Sequence, residues 1–319
     1  MVFPNLDCNS ERICLLYIIP IDVAEFEKTW HYSSMSCSVA VTDSRTDALI
    51  RLMDDPSVTV HKAILKELDA MGGDSAKELL RHAMHIEETQ LSAELLWEEL
   101  FGPIPEKQFE RYIRESDFDL ETAYILLSQI IDPGMNAYDV VLELDELADS
   151  IQGRMDEEMN DWERCRVLSM ALFEDEGFCL NLYNSSDPLN WSIRNVLQTH
   201  EGHPVALCIV YALVALRCGM DMALIHMPGR FFLGCFSEGI PLYIDVTSSG
   251  EFRSQGELMN LLITEHKMPR ADFFAPISVA EVLIQCCKDL ALQYRISDHP
   301  KEAKVFSDYL KIFANRSYH

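Results

Sequence analysis

A thiol, three imidazoles and a carboxylate lie near one another in the second half of this chain: Cys208, with His200, His203 and His226 around it and Asp245 further on. A thiolate nucleophile, an imidazole to take its proton and a carboxylate to orient the imidazole would make a cysteine-dependent hydrolase or acyltransferase. The same histidines, with Cys208 or Asp245, could instead converge on a metal ion. Their spacing matches no recognised ligand motif, so neither a metal nor any other cofactor is expected. Cys208 sits among Leu207, Ile209 and Val210, a turn inside an apolar segment that opens at Pro204. That is beyond the helix N-terminal amides that lower a thiol's pKa, so an inert core thiol is the expectation and a nucleophile the alternative.

The elements that must position these residues can be outlined from the pattern. Pro204 suits a first helical position, 205–216 is apolar on nearly every side and so predicts a buried central helix, and Arg217-Cys218-Gly219 stops it. Upstream, 167–176 reads as a helix ending at Gly177, 181–190 as a polar loop containing Asp187-Pro188, and 191–198 as a short helix. Downstream, 223–227, 230–236 and 241–247 read as strands, broken by Pro228-Gly229 and by Ser237-Glu238-Gly239. With Ser237-Glu238 as a two-residue hairpin loop, Arg230 stands opposite Asp245 and Phe232 opposite Tyr243 on one face. Phe231 with Ile244, and Leu233 with Leu242, then occupy the other. The first face would line a cleft whose candidate binding residues are His203, Arg230, Phe232, Tyr243 and Asp245, and the second would be the buried back.

Both flanks are helical. Apolar residues recur at helical spacing as Ala48, Leu49, Leu52; Val60, Ile64, Leu65, Leu68; Ala76, Leu79, Leu80, Ala83; and Leu91, Leu95, Leu96, Leu100. Breaks fall at Asp54-Asp55-Pro56, Gly72-Gly73-Asp74 and Gly102-Pro103. The stretch from Asp54 to Gly72 resembles a HEAT-type repeat, with an ordinary helical bundle as the alternative. A further helix over 138–151 turns Val141, Leu144, Leu147, Ala148 and Ile151 inward, and its acids Glu143, Asp145, Glu146 and Asp149 form a solvated face. At the C-terminus, 279–294 and 300–313 form a helical hairpin of roughly one tetratricopeptide unit, which cannot bury its face unaided and is expected to pack on the core or cap a groove. Residues 1–34 lack a clean period and read as a loosely docked extension, or as a start upstream of the true one, dispensable for folding.

Five motifs in order carry a resemblance: Asp175-Glu176-Gly177-Phe178, Asp187-Pro188-Leu189-Asn190, Gly202-His203-Pro204-Val205, Pro228-Gly229-Arg230-Phe231 and Ile244-Asp245-Val246-Thr247. They resemble the successive motifs of the bacterial SirB family, transglutaminase-like and tetratricopeptide-containing regulators, over residues 115–315. The resemblance implies a transglutaminase-like core with a cysteine at the N-terminus of the buried helix, a histidine on one strand and an aspartate on the next. Carried onto this sequence, the nucleophile position falls at or beside Val205, the histidine on Arg230 and the carboxylate on Asp245. Arg230 departs even from the SirB pattern, which shows histidine after Pro-Gly, and an arginine cannot act as a general base near neutral pH. The resemblance therefore implies a pseudoenzyme. An Arg230–Asp245 ion pair would replace the catalytic pair, either to hold an acidic group or simply as a structural pair.

The chain is thus expected to be α+β and mostly α-helical. An extension (1–34) and a HEAT-like helical region (35–104) precede a transglutaminase-like domain with a buried helix and a small antiparallel sheet (105–275), and a helical hairpin (276–319) closes it. With 26 Lys+Arg against 52 Asp+Glu the formal net charge is −26, a field that repels nucleic acid and anionic membranes. A protein partner is the expectation. The ten cysteines show no zinc-like pairing or disulfide-scaffold density, and with no signal-like or membrane-spanning stretch this points to the cytoplasm. The functional expectation is a non-catalytic binding or regulatory protein, with a Cys208 hydrolase or acyltransferase and a purely structural helical scaffold as alternatives.

Overall fold

The computed structural model describes residues 44–114, 118–237 and 239–316. The expected extension, 1–34, lies outside them. The first layer is four helices, α1 (Ser44–Leu52), α2 (Val58–Met71), α3 (Gly73–Met84) and α4 (Gln90–Phe101), with the breaks where the sequence places them. Gly72 supplies the turn between α2 and α3 at φ +86°, a conformation a Cβ would strain. Their core is Leu49, Ile50, Met53, Ile64, Leu68, Leu79, Leu80, Leu96 and Trp97. Two expected faces are rotated. Ile50 and Met53 turn inward where Ala48 and Leu52 were expected, and α4 buries Ala93, Leu96 and Trp97 while Leu91 and Leu95 point out.

This layer docks through cations onto the end of a helix in the second layer. That layer opens with α5 (Pro105–Arg114), α6 (Leu120–Ile131), α7 (Ala137–Gln152) and α8 (Asp161–Ser169). Lys77 Nζ donates to the Pro133 carbonyl at 2.8 Å, and Arg81 donates to those of Ile130 at 2.8 Å and Gln129 at 3.2 Å. The last carbonyls of a helix lack internal partners and carry the negative end of its dipole, so cations are well placed there. Arg81 also pairs with Glu106 at 3.2 Å and lies over the Trp97 ring.

Asn160 and Glu163 close a capping box at the start of α8, which runs on into a π-helical segment, Met170–Asp175; Gly177 (φ +77°) follows. Strand β1 (Cys179–Leu180) pairs in parallel with β2 (Glu201–Gly202). Between them lie a 3₁₀ turn, Pro188–Trp191, and α9 (Ile193–Thr199), where the sequence reading had a loop and a helix from 191. Ser192 explains the later start: its hydroxyl caps the Asn195 N–H.

The central helix α10 (Pro204–Arg217) is buried from Pro204 to Ala215, packed against α7, α8, α9 and the sheet. Each fully buried aliphatic side chain there contributes about 1.5–3 kcal/mol. The sheet runs β3 (Ala223–Met227), β4 (Arg230–Cys235), β5 (Leu242–Asp245), β6 (Glu251–Arg253), all antiparallel neighbours. Behind it come α11 (Gln255–Thr264) and a 3₁₀ turn, Ala271–Phe274. The hairpin α12 (Val279–Ile296) and α13 (Pro300–Arg316) then packs back on α5, with the Phe109 and Tyr309 rings 4.9 Å apart.

The expected hairpin register is wrong by two residues. Leu233 pairs with Ile244, Gly234 with Tyr243 and Cys235 with Leu242, so Arg230 is not opposite Asp245, nor Phe232 opposite Tyr243. The strands end at Cys235 and Leu242, and the connection spans 236–241 instead of two residues. A shift of two preserves the faces, because side chains alternate with period two.

Gly250 closes the turn into β6 at φ +73°, its N–H bonded to the Asp245 carbonyl at 2.9 Å. A Cβ there would run into the Phe173 ring, whereas one at Gly239 (φ +77°) would meet nothing within 4 Å. Gly250→Ala is expected to cost about 2–3 kcal/mol and Gly239→Ala about 1 kcal/mol in denaturant titrations. Equal losses would show that Phe173 yields freely.

Candidate functional site

The site implied by the sequence is the N-terminus of α10 with the adjoining ends of β4 and β5. His203 is the N-cap. Its backbone N–H donates to the Asn190 carbonyl at 2.9 Å, and its ring Nδ1 accepts the Val205 N–H at 3.4 Å. Asn190 is fixed in turn by the Asn181 amide at 3.0 Å and by its own amide donating to the Asn184 carbonyl at 2.6 Å. The imidazole lies flat on Trp191, ring centres 4.0 Å apart, and burial drives its pKa down to about 3. It is therefore a neutral cap with Nδ1 as acceptor, and a helix N-terminus is a poor place for a cation in any case.

Val205, at the implied nucleophile position, is buried and offers only a branched alkyl group. Cys208 is buried a turn further in, its thiol pKa pushed well up by desolvation and then by the charge of Asp245. That places the Asp245 charge near Cys208, but the carboxylate is engaged elsewhere. It accepts from Thr247 N at 3.0 Å, Thr247 Oγ1 at 2.6 Å and Ser248 Oγ at 3.1 Å, and Arg253 Nε lies 3.8 Å away. Asp245 thus caps the short 3₁₀ turn Val246–Ser248.

Arg230 meets Glu265, not Asp245: Nη2 donates to Oε1 at 2.7 Å. The other Glu265 oxygen accepts from Lys267 Nζ at 2.8 Å, which also donates to the Pro228 carbonyl at 2.8 Å. Burial raises the Glu265 pKa, but the hydrogen bonds from Lys267 and Arg230 outweigh it and hold it below the usual carboxylate range. The expected cleft is filled. Phe232 and Tyr243 form a small core with Ile225, Met227, Leu258, Leu262 and Phe274, and the Tyr243 hydroxyl donates to the Phe274 carbonyl at 3.1 Å. The face chosen for charge and aromatics is covered by α11 and the 3₁₀ turn after it.

The other two histidines are apart from this arrangement. His200 stacks on Phe178 and bonds the Glu176 carbonyl, and His226 stacks on Phe231, its pKa lowered by burial. Among the described residues no group of three His, Cys, Asp or Glu side chains is arranged to hold a metal. No helix there is long and apolar enough to cross a membrane. The sequence reading missed Trp191, Arg253, Glu265 and Lys267. Glu265 and Lys267 follow a helix without any motif, and only the Arg230 charge, which needs a partner once half-buried, hinted at them.

Thiol reactivity follows from burial. Iodoacetamide on the native protein at neutral pH is expected to label exposed Cys179 well before Cys208, which should react only on unfolding. Fast, selective labelling of Cys208 would show an activated thiol instead.

Residues 138–288 match the family model described as the transglutaminase-like superfamily. No curated protein and no solved structure matches the chain.

Proposed function

We propose, from the premise that residues 138–288 are a transglutaminase-like domain, that the chain is a non-catalytic binding or regulatory protein of the SirB kind. The observation that supports it most is Arg230. It stands where the resemblance places a histidine and is tied to Glu265, and a guanidinium takes up no proton near neutral pH. Val205 at the helix N-terminus supplies no nucleophile, and Asp245 orients a turn instead of an imidazole. In this reading the scaffold outlasts the chemistry, and the helical layers, HEAT-like before it and tetratricopeptide-like after it, offer surfaces to a protein partner in the cytoplasm.

The alternative, a cysteine hydrolase or acyltransferase using Cys208, is disfavoured because burial and then the Asp245 charge both raise that thiol's pKa and suppress its thiolate. The two separate by turnover. Incorporation of a fluorescent primary amine into a glutamine-rich acceptor, and hydrolysis of an activated ester, are expected to be the same for the native chain and for Cys208→Ser. Turnover lost in Cys208→Ser would overturn the non-catalytic reading.

A further inference from the structure

We infer that the outer face of α4, with the end of α1 beside it, is a docking surface for a basic amphipathic helix of a protein partner. The inference rests on the binding reading above and names its surface. Helix α4 carries apolar residues on two faces. The inner one is spent on Ala93, Leu96 and Trp97, while Leu91 and Leu95 are 69% and 56% exposed. They are one turn apart and so point the same way. The Ser92 hydroxyl donates to Asp54 at 3.4 Å, which brings the chain just past α1 against the first turn of α4. Leu52, two residues before Asp54, is 45% exposed. Single exposed leucines need no explanation, but a pair at helical spacing beside a third is what a helix-in-groove contact uses.

The rim selects the occupant. Glu87 and Glu88 just before α4, Glu98 one turn after Leu95, and Asp54 and Asp55 just after Leu52 are all exposed, while Lys107 and His61, which reach α4, are paired with its Glu94 and Glu99. Helix α4 contains no lysine or arginine. An apolar stripe bordered by carboxylates disfavours anionic lipid and nucleic acid. It complements a helix with leucine, isoleucine or methionine at i, i+3, i+4 and i+7 flanked by lysine or arginine. The sheet face is filled by Phe232, Tyr243 and Phe274, whereas among the described residues the leucines of α4 and Leu52 stay exposed.

The test uses the full chain and a fluorescein-labelled synthetic helix of leucine and lysine in that spacing, followed by anisotropy at physiological salt. Leu91→Ser/Leu95→Ser is expected to weaken binding tenfold or more with unchanged melting, since both side chains are exposed. Asp139→Asn/Asp149→Asn, on the distant acidic face of α7, should leave it within twofold. Equal affinity of the leucine variant, or an equal loss in the α7 variant, would reduce the binding to net charge and overturn the proposal. Leu15→Ser/Leu16→Ser tightening the peptide tenfold would make the chain's own apolar run at 13–21 the occupant, which also overturns it. A Cys208-dependent turnover leaves this measurement untouched, so the two readings fail separately.

Discussion

Trp191→Ala is expected to cost about 3–5 kcal/mol, the range for removing a fully buried large aromatic, and to lower the melting temperature on the order of 10 °C. Trp191 has no exposed surface, and its ring is the floor on which His203 lies. Its carbonyl accepts the Tyr124 hydroxyl at 2.7 Å, so the residue ties α6 to the entrance of α10. Alanine would leave that hydrogen bond but open a cavity under the cap of the central helix. Trp191→Phe is the instructive partner. The indole N–H is buried without an acceptor among the described residues, and phenylalanine removes that orphan while keeping a ring under His203. Its loss should stay below about 1.5 kcal/mol. Urea titrations of the three proteins check both numbers, and a loss under about 1 kcal/mol for the alanine variant would mean that α10 is not anchored here.

The second large effect is a pH dependence. His203 has a folded pKa of about 3 against an ordinary 6.5, so below 6.5 the unfolded chain binds a proton that the folded chain refuses. Its contribution to stability is whole above pH 6.5 and is lost as pH falls toward 3, at about 1.4 kcal/mol per unit, or about 2 kcal/mol by pH 5. Half-buried Asp289 acts the other way, since burial lifts its carboxyl to about 7 and favours the folded state as pH falls. The comparison is therefore between native chain and His203→Asn, which keeps a capping side chain but does not titrate. The native chain should lose about 2 kcal/mol more than the variant between pH 7 and pH 5. Parallel profiles would show that His203 takes up its proton in place.

Where period and punctuation act locally, the sequence was legible. The helices of the first layer, the buried α10 with Pro204 at its first position and the three strands after it all fall where apolar spacing and Gly-Pro breaks put them. The hairpin register was not, because it depends on how many residues the connection uses, and nothing in Ser237-Glu238-Gly239 separates a two-residue turn from the longer 236–241 loop. Face parity survived that error and pairing did not. The cleft failed for a related reason: strand alternation separates two faces but does not tell which one a later element covers, and α11 lays Leu258 and Leu262 over Phe232 and Tyr243. The same limit applied to α4, where two apolar faces left open which one would be buried.

The cations that fasten the first layer to the end of α6 also set an order of events during synthesis. Arg81 precedes its Ile130 acceptor by 49 residues. At roughly 5–20 residues per second, Arg81 and Lys77 leave the ribosome about 2–10 s before the carbonyls that they will hold. For that interval the layer carries its docking face bare, with two hydrated charges on it and an acidic surround that discourages self-association. Emergence of α6 completes the joint, and the nascent N-terminal layer acquires its fixed neighbour only then.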